Sequence, residues 1–232
     1  MSEAWHAILD QEIDRQFERM VQVRRHLHMY PETSGHEQES SFYLYTQLGD
    51  EGFTVRLGPE GLGVFADWEQ TAVTANSARL ALRADIDALP IHDEKSVPYH
   101  SRRDGVMHAC GHDVHTAVVM GSLVVLRRLG REGQLPWPLR IRGIFQPAEE
   151  TSQGALAMVQ AGALEGAGAI LAAHVEPNLP AGRFGLREGF LTAACDQMLV
   201  QIHGQGGHAA RPHESKDPIS AAAQLINALY LH

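Results

Sequence analysis

The sequence predicts an α/β domain built on a mostly parallel central sheet flanked by helices, and two observations carry that expectation. Three short apolar runs read as strands, and each hands polar, chemistry-bearing residues to the segment that follows. Arg79 to Ala84 runs into Asp85 and Asp87, Leu139 to Phe145 runs into Glu149 and Glu150, and Ala169 to Ala173 runs into His174. Helical stretches separate these runs, the alternation expected of a parallel sheet covered on its faces. In such sheets ligands sit beyond the carboxyl ends of the strands, so the repeated delivery of acids and imidazole predicts a site at one sheet edge. The second observation is a change of texture from Gly182 onward, which places a boundary near Gly189. The expected organisation is a larger domain over residues 1–189 and a smaller one over residues 190–232.

Size and charge narrow the function classes. A chain of 232 residues with 44% hydrophobic content can bury a core and exceeds the usual size of one compact domain. A formal net charge of −9 leaves no basic stripe to neutralise phosphates, so nucleic acid is not an expected partner. Cys110 and Cys195 are too few and too far apart for a disulfide framework. The polar start from Ser2 to Gln11 has no apolar signal core, and no apolar run is long enough to span a bilayer. A cytoplasmic protein with no membrane partner is expected.

The remaining elements follow in order. Ser2 caps a first helix in which Ile8 or Leu9, Ile13, Phe17, Met20 or Val21, and Leu27 recur at helical spacing, up to Tyr30-Pro31. A second helix from about Glu37 to Leu48 is stopped by Gly49 and Gly52. Phe53 to Leu57 and Leu62 to Trp68 read as strands bounded by glycine-rich turns, and Thr71 to Ala78 as a polar loop. Asp113 is placed to cap a helix reaching about Leu129, with Val118, Val119, Leu123, Val125 and Leu126 on its apolar face. A helix from about Gln153 to Ala161 closes at Gly162. Beyond Gly182, Arg183 to Leu186 and Gln197 to His203 are strand-like. Asp217 and Pro218 then start a closing helix predicted to bury Ile219, Ala222, Ala223, Ile226, Leu229 and Tyr230.

Chemistry concentrates between Val106 and Thr116, which hold three histidines and a cysteine. Cys110 and His112, two apart, point the same way only on an extended or looped backbone, and Gly111 permits the turn. A thiolate beside an imidazole suits zinc or a similar borderline metal; the alternative is a buried thiol among surface histidines. Glu149 and Glu150, if extended, face opposite sides, so that one can ligate an ion while the other takes a proton from the attacking water.

The segments Leu80 to Pro90, Gly105 to Asp113, Ile144 to Glu150, Ala173 to Val175 and Gly206 to His213 stand in this order and at separations that are specific as a set. Together they resemble the aminoacylase and carboxypeptidase superfamily of two-metal amidohydrolases. The likeness spans nearly the whole chain and is nearest the branch of hippurate hydrolase, N-acetyl-diaminopimelate deacetylase and plant auxin-conjugate hydrolases. It implies hydrolysis of the amide bond of an N-acyl amino acid with two divalent ions, zinc or manganese. It further implies that the second domain is the start of an α+β lid through which the full-length family dimerises.

Carried over residue by residue, the resemblance makes Cys110 a bridging thiolate and His112, Glu150 and His174 further ligands. Glu149 becomes the general base and acid, Asp87 the carboxylate that orients the site, and His208 the lid histidine that polarises the scissile carbonyl. Asp85 stands where other branches have a ligating histidine and is not counted as a ligand. His108, His115, Arg211 and His213 belong to the same motifs as supports or substrate contacts. The family continues past the point where this chain stops and supplies another histidine ligand from its last portion; His232 is not in the matching motif. The chain therefore reads as a fragment expected to bind metal weakly or at one site only and to turn over poorly, with a dipeptidase or carboxypeptidase of the same superfamily, or a non-catalytic module of the same fold, as rival readings.

Overall fold

A sheet that is apolar on both faces must be covered on both, and that requirement organises the first part of this chain. The computed structural model describes residues 4–71, 73, 77–191, 193–194 and 198–231, and the chain divides into two units, one up to Asn178 and one from Leu179. Ser2, Cys195 and His232 lie outside the described residues.

In the first unit the elements are α1 (Ala4–Met29), α2 (Gln38–Asp50), β1 (Thr54–Leu57), β2 (Val64–Glu69), β3 (Arg79–Asp85), α3 (His112–Arg131), β4 (Arg140–Gln146), α4 (Gly154–Gln160) and β5 (Ala167–Ala172). The strands form one sheet in the order β1-β2-β4-β3-β5. The sheet is mixed rather than mostly parallel: β3 pairs in parallel with β4 and β5, whereas β1 with β2 and β2 with β4 are antiparallel. The short connection after β1 can only fold β2 back as a hairpin partner. The three strands that lead into the acids and His174 are the parallel ones, and their registers align Asp85 with Gln146 and Arg83 with Ala172.

Period-two alternation along β4 sends Ile141 and Phe145 to one face and Ile144 to the other. The first face is covered by α1, α2 and α3 through Leu27, Leu44, Leu48 and Leu123, all essentially inaccessible. Gly143 on that face lets α3 approach, because a Cβ there would collide with the side chain of Leu123. The second face packs Phe65, Ala81 and Ile144 against Met158 of α4. Each fully buried Leu, Ile or Phe contributes about 1.5–3 kcal/mol of transfer free energy.

Two helix expectations need correction. The buried stripe of α1 runs through Glu12, Gln16, Val23 and Leu27, while Ile13 and Phe17 face solvent. Burial of Glu12 is tolerated because Gln16 Nε2 donates to it at 2.8 Å and Arg128 of α3 pairs with it at 3.5 Å. Asp113 does not cap α3; the helix starts at His112, two residues earlier than that cap would place it, after Gly111 at φ +87°, and the Asp113 carboxylate turns inward to Arg24 and His28, each at 2.8 Å.

The second unit contains α5 (Pro218–Tyr230), started as expected by Asp217, whose Oδ1 accepts the Ile219 N–H at 2.9 Å, with Pro218 in the first turn. The runs over 183–186 and 198–203 are not strands among the described residues, where regular pairing is limited to a bridge between Gln205 and Lys216. An apolar run without a partner for its backbone groups forms no ladder. Phe184, Leu186 and Leu199 are accordingly exposed, and so is the face of α5 expected to be buried, including Ile219, Ile226, Leu229 and Tyr230.

Candidate metal centre

The helices that follow β3 and β4, α3 and α4, lie on opposite faces of the sheet, so the loops leaving these adjacent strands diverge. A crevice opens where that happens, beyond the carboxyl ends of the strands. The first loop carries Asp87 and leads to Cys110 and His112, the second carries Glu149 and Glu150, and the segment after β5 on the other side of β3 carries His174.

Backbone groups fix the ring nitrogens of both candidate ligand histidines. His112 Nδ1 lies 2.9 Å from the Asp87 carbonyl oxygen, which can only accept, so Nδ1 carries the proton; Asp87 Oδ1 lies 3.1 Å from the same nitrogen. His112 Nε2 is buried with no hydrogen-bond partner among the described residues and faces Glu150 Oε1 and Asp85 Oδ2, each at 3.8 Å, and Glu149 Oε2 at 3.9 Å. His174 Nδ1 likewise donates to the Val175 carbonyl at 2.7 Å, leaving Nε2 3.4 Å from Cys110 Sγ. An imidazole whose far nitrogen is tied to an acceptor and whose near nitrogen is left bare is the arrangement found in metal-ligating histidines. Cys110, His112 and His174 form one group whose donor atoms lie within 4.8 Å of one another, and His112, Glu149 and Glu150 form another.

The electrostatics fit a cation. Burial, with Glu150, Glu149 and Asp85 acting in the same direction, pushes the Cys110 thiol up to about 12. Burial also raises Glu149. For Asp87 burial acts upward, but hydrogen bonds from His112, Ser34 and the Glu150 N–H together bring it below its ordinary value. A thiol and carboxylates crowded around a bare nitrogen repel one another as anions, and a divalent ion is what offsets that repulsion.

The Asp87 carboxylate contacts both sides of this cluster: Ser34 Oγ donates to Oδ2 at 2.7 Å and the Glu150 N–H at 3.0 Å, while Oδ1 lies 3.1 Å from His112 Nδ1. The expectation that Glu149 and Glu150 face opposite sides of an extended segment does not hold. Ala148 sits at φ +49° and the Ser152 N–H bonds the Glu149 carbonyl at 2.8 Å, so the chain turns and both carboxylates come to His112. His208 belongs to the second unit, where its Nδ1 accepts the Ala210 N–H at 3.1 Å and Nε2 is thereby the protonated nitrogen of the neutral ring.

Sequence reasoning missed Glu37, whose only signal was a charged residue at the start of α2. Its side chain is wholly buried, and Oε1 accepts the Ala148 N–H at 2.7 Å, holding the turn that aims the two glutamates. Glu37→Ala strands that buried donor and is expected to cost about 2 kcal/mol, whereas Glu37→Gln keeps an acceptor and stays near wild type. Urea denaturation of both variants measures this; equal midpoints for Glu37→Ala and wild type would refute it.

The model of peptidase family M20/M25/M40 matches residues 81–230. N-acetyl-L-cysteine deacetylase of Bacillus subtilis is 43% identical over 210 residues, 90% of this chain and 49% of the relative. N-acyl-L-amino acid amidohydrolase of Geobacillus stearothermophilus is 36% identical over 214 residues, 90% of this chain and 55% of the relative. A crystal structure from Bacillus subtilis, described as a dinuclear metal binding peptidase from the M20 family, superimposes with a TM-score of 0.67 at 38% identity, covering 74% of this chain and 47% of that one. The chain thus spans about half the length of the curated relatives it matches.

Proposed function

Because the chain belongs to peptidase family M20/M25/M40, we propose that it is the metal-binding part of an amidohydrolase that cleaves the amide bond of N-acyl amino acids. The observation that carries this reading is the bare, buried Nε2 of His112, faced by two glutamates and set beside the Cys110–His174 pair. Cys110, His112, Glu150 and His174 are the residues that would hold divalent ions, and mixed sulfur, nitrogen and oxygen donors accept zinc or manganese. When bound, the ions supply Lewis acidity toward water and the scissile carbonyl.

The chain's own residues do the rest. Glu149, partly exposed and with its proton affinity raised by burial, takes the proton of the attacking water on its carboxylate and returns it to the leaving amine. Asp87 keeps the His112 proton on Nδ1 and so leaves Nε2 for an ion. His208, protonated on Nε2, donates to the carbonyl oxygen as negative charge develops there. The relatives named for N-acetylcysteine and N-acyl amino acids support an acyl group on an α-amine as the substrate class.

Amino-acid release by the full-length protein from N-acetyl, N-benzoyl and indole-acetyl amino acids and from dipeptides, each with zinc or manganese and with a chelator, tests the proposal. The expected result is metal-dependent release from the N-acyl substrates, N-acetyl best. Tight ion binding with no release from any substrate would favour a non-catalytic module, and cleavage confined to dipeptides would favour a dipeptidase.

A further inference from the structure

Asp85, His112 and His115 form another buried group with donor atoms within 4.8 Å of one another, and on distances alone it resembles a further cation site. The geometry points to a different role. We propose that Asp85 and His115 are a brace that sets the orientation of His174, and that neither donates to an ion. This inference rests on reading His174 as a ligand.

The Val175 N–H donates to His115 Nε2 at 2.9 Å. A backbone N–H can only donate, so this nitrogen is unprotonated and its lone pair is occupied. The proton is on Nδ1, which donates to Asp85 Oδ1 at 2.7 Å. Asp85 is itself immobilised: Arg83 Nη1 donates to its Oδ2 at 2.7 Å and Thr116 Oγ1 to its carbonyl at 2.8 Å. An ion bound through His115 would have to displace the Val175 N–H.

Val175 is held from both ends of its own backbone. His115 holds its N–H, and its carbonyl accepts the His174 Nδ1 proton at 2.7 Å. Its side chain rests on Gly111, where a Cβ would overlap it and where φ is +87°. His174 is exposed and lies just past the end of β5, and its ring stands against that of His115, with centroids 4.4 Å apart. The line from β3 through Asp85, His115 and Val175 is what leaves His174 Nε2 3.4 Å from Cys110 Sγ.

Zinc affinity by competition with a chromogenic chelator, and the thiolate-to-cobalt absorption of the cobalt-loaded protein, read this without an activity assay. His115→Phe is expected to weaken zinc binding about tenfold, the size usual for a group that orients a ligand. It should also alter the cobalt spectrum as His174→Ala does, while the double variant binds no more weakly than His174→Ala alone. His115→Gln, which can still donate and accept, should recover much of the affinity. Should the Phe variant not fold, His115→Asn, too short to reach Val175, takes its place with the same expectation. Unchanged affinity, or a further loss of the same factor in the His174→Ala background, overturns the brace. If His174→Ala itself leaves zinc affinity unchanged, the ligand reading of His174 fails, and the brace with it.

Discussion

Glu149→Gln is expected to lower turnover roughly a thousandfold while zinc affinity stays at the wild-type level. That loss corresponds to about 4 kcal/mol of barrier. Glutamine keeps the shape and dipole of the side chain but cannot take a proton from water. The geometry separates the two glutamates for this purpose. Glu150 is anchored through its N–H to Asp87 at 3.0 Å, and its side chain is 23% exposed. Glu149 has a side chain 40% exposed that makes no hydrogen bond among the described residues. A carboxylate that keeps its lone pairs free and its proton affinity raised by burial suits proton shuttling. Glu150→Gln should therefore behave oppositely, losing zinc affinity first and activity as a consequence. Zinc titration and turnover measured side by side distinguish the pair; near-normal turnover of Glu149→Gln would place the proton carrier elsewhere.

What the sequence disclosed was local. The strands ending at Asp85, Gln146 and Ala172 were legible because apolar runs bounded by polar residues have a short period, and the turn at Gly111 because residues two apart needed one. The resemblance supplied the roles. Pairing direction is not written in a strand's own pattern, so the antiparallel β2–β4 contact was missed. Burial of Glu12 depends on Arg128, 116 residues away, and the His115–Val175 bond spans 60 residues. The turn at Ala148 defeated the extended reading of Glu149 and Glu150 because a non-glycine residue at positive φ gives no sequence signal. In the second unit residues 183–186 were read as strand-like and the 219–230 face as buried, and Phe184, Leu186, Ile219, Ile226, Leu229 and Tyr230 are exposed. Amphipathic periodicity states which face would be covered, not what covers it.

Arg142→Ala is expected to destabilise the first unit by about 2 kcal/mol, less than breaking a fully buried ion pair costs because the Asp67 side chain keeps 26% exposure. Arg142 lies in the middle of β4 at 5% exposure, a place where an unpaired guanidinium would not be tolerated. Its Nε and Nη2 reach the two oxygens of Asp67 on β2 at 2.7 and 2.8 Å, a fork-to-fork pair across the antiparallel β2–β4 ladder. Nη1 donates to the carbonyls of Gly162 at 2.7 Å and Ala163 at 3.1 Å, in the turn that leads into β5. Alanine would leave Asp67 with only the longer pair to Arg79 Nε at 3.6 Å and two backbone acceptors without their donor, and would open space beside Phe65, whose ring centroid lies 5.7 Å from the guanidinium carbon. Arg142→Lys should recover only part of the loss, because an ammonium cannot serve the carboxylate and both carbonyls from one plane. The effect should also travel along the chain. Slackening the turn before β5 loosens the strand that ends beside His174, so zinc affinity should fall in Arg142→Ala although no candidate ligand has been touched. Urea unfolding and zinc competition on the same preparations test both parts. A midpoint equal to wild type would mean that water replaces every bond the guanidinium makes, and a stability loss with unchanged zinc affinity would uncouple β5 from this anchor.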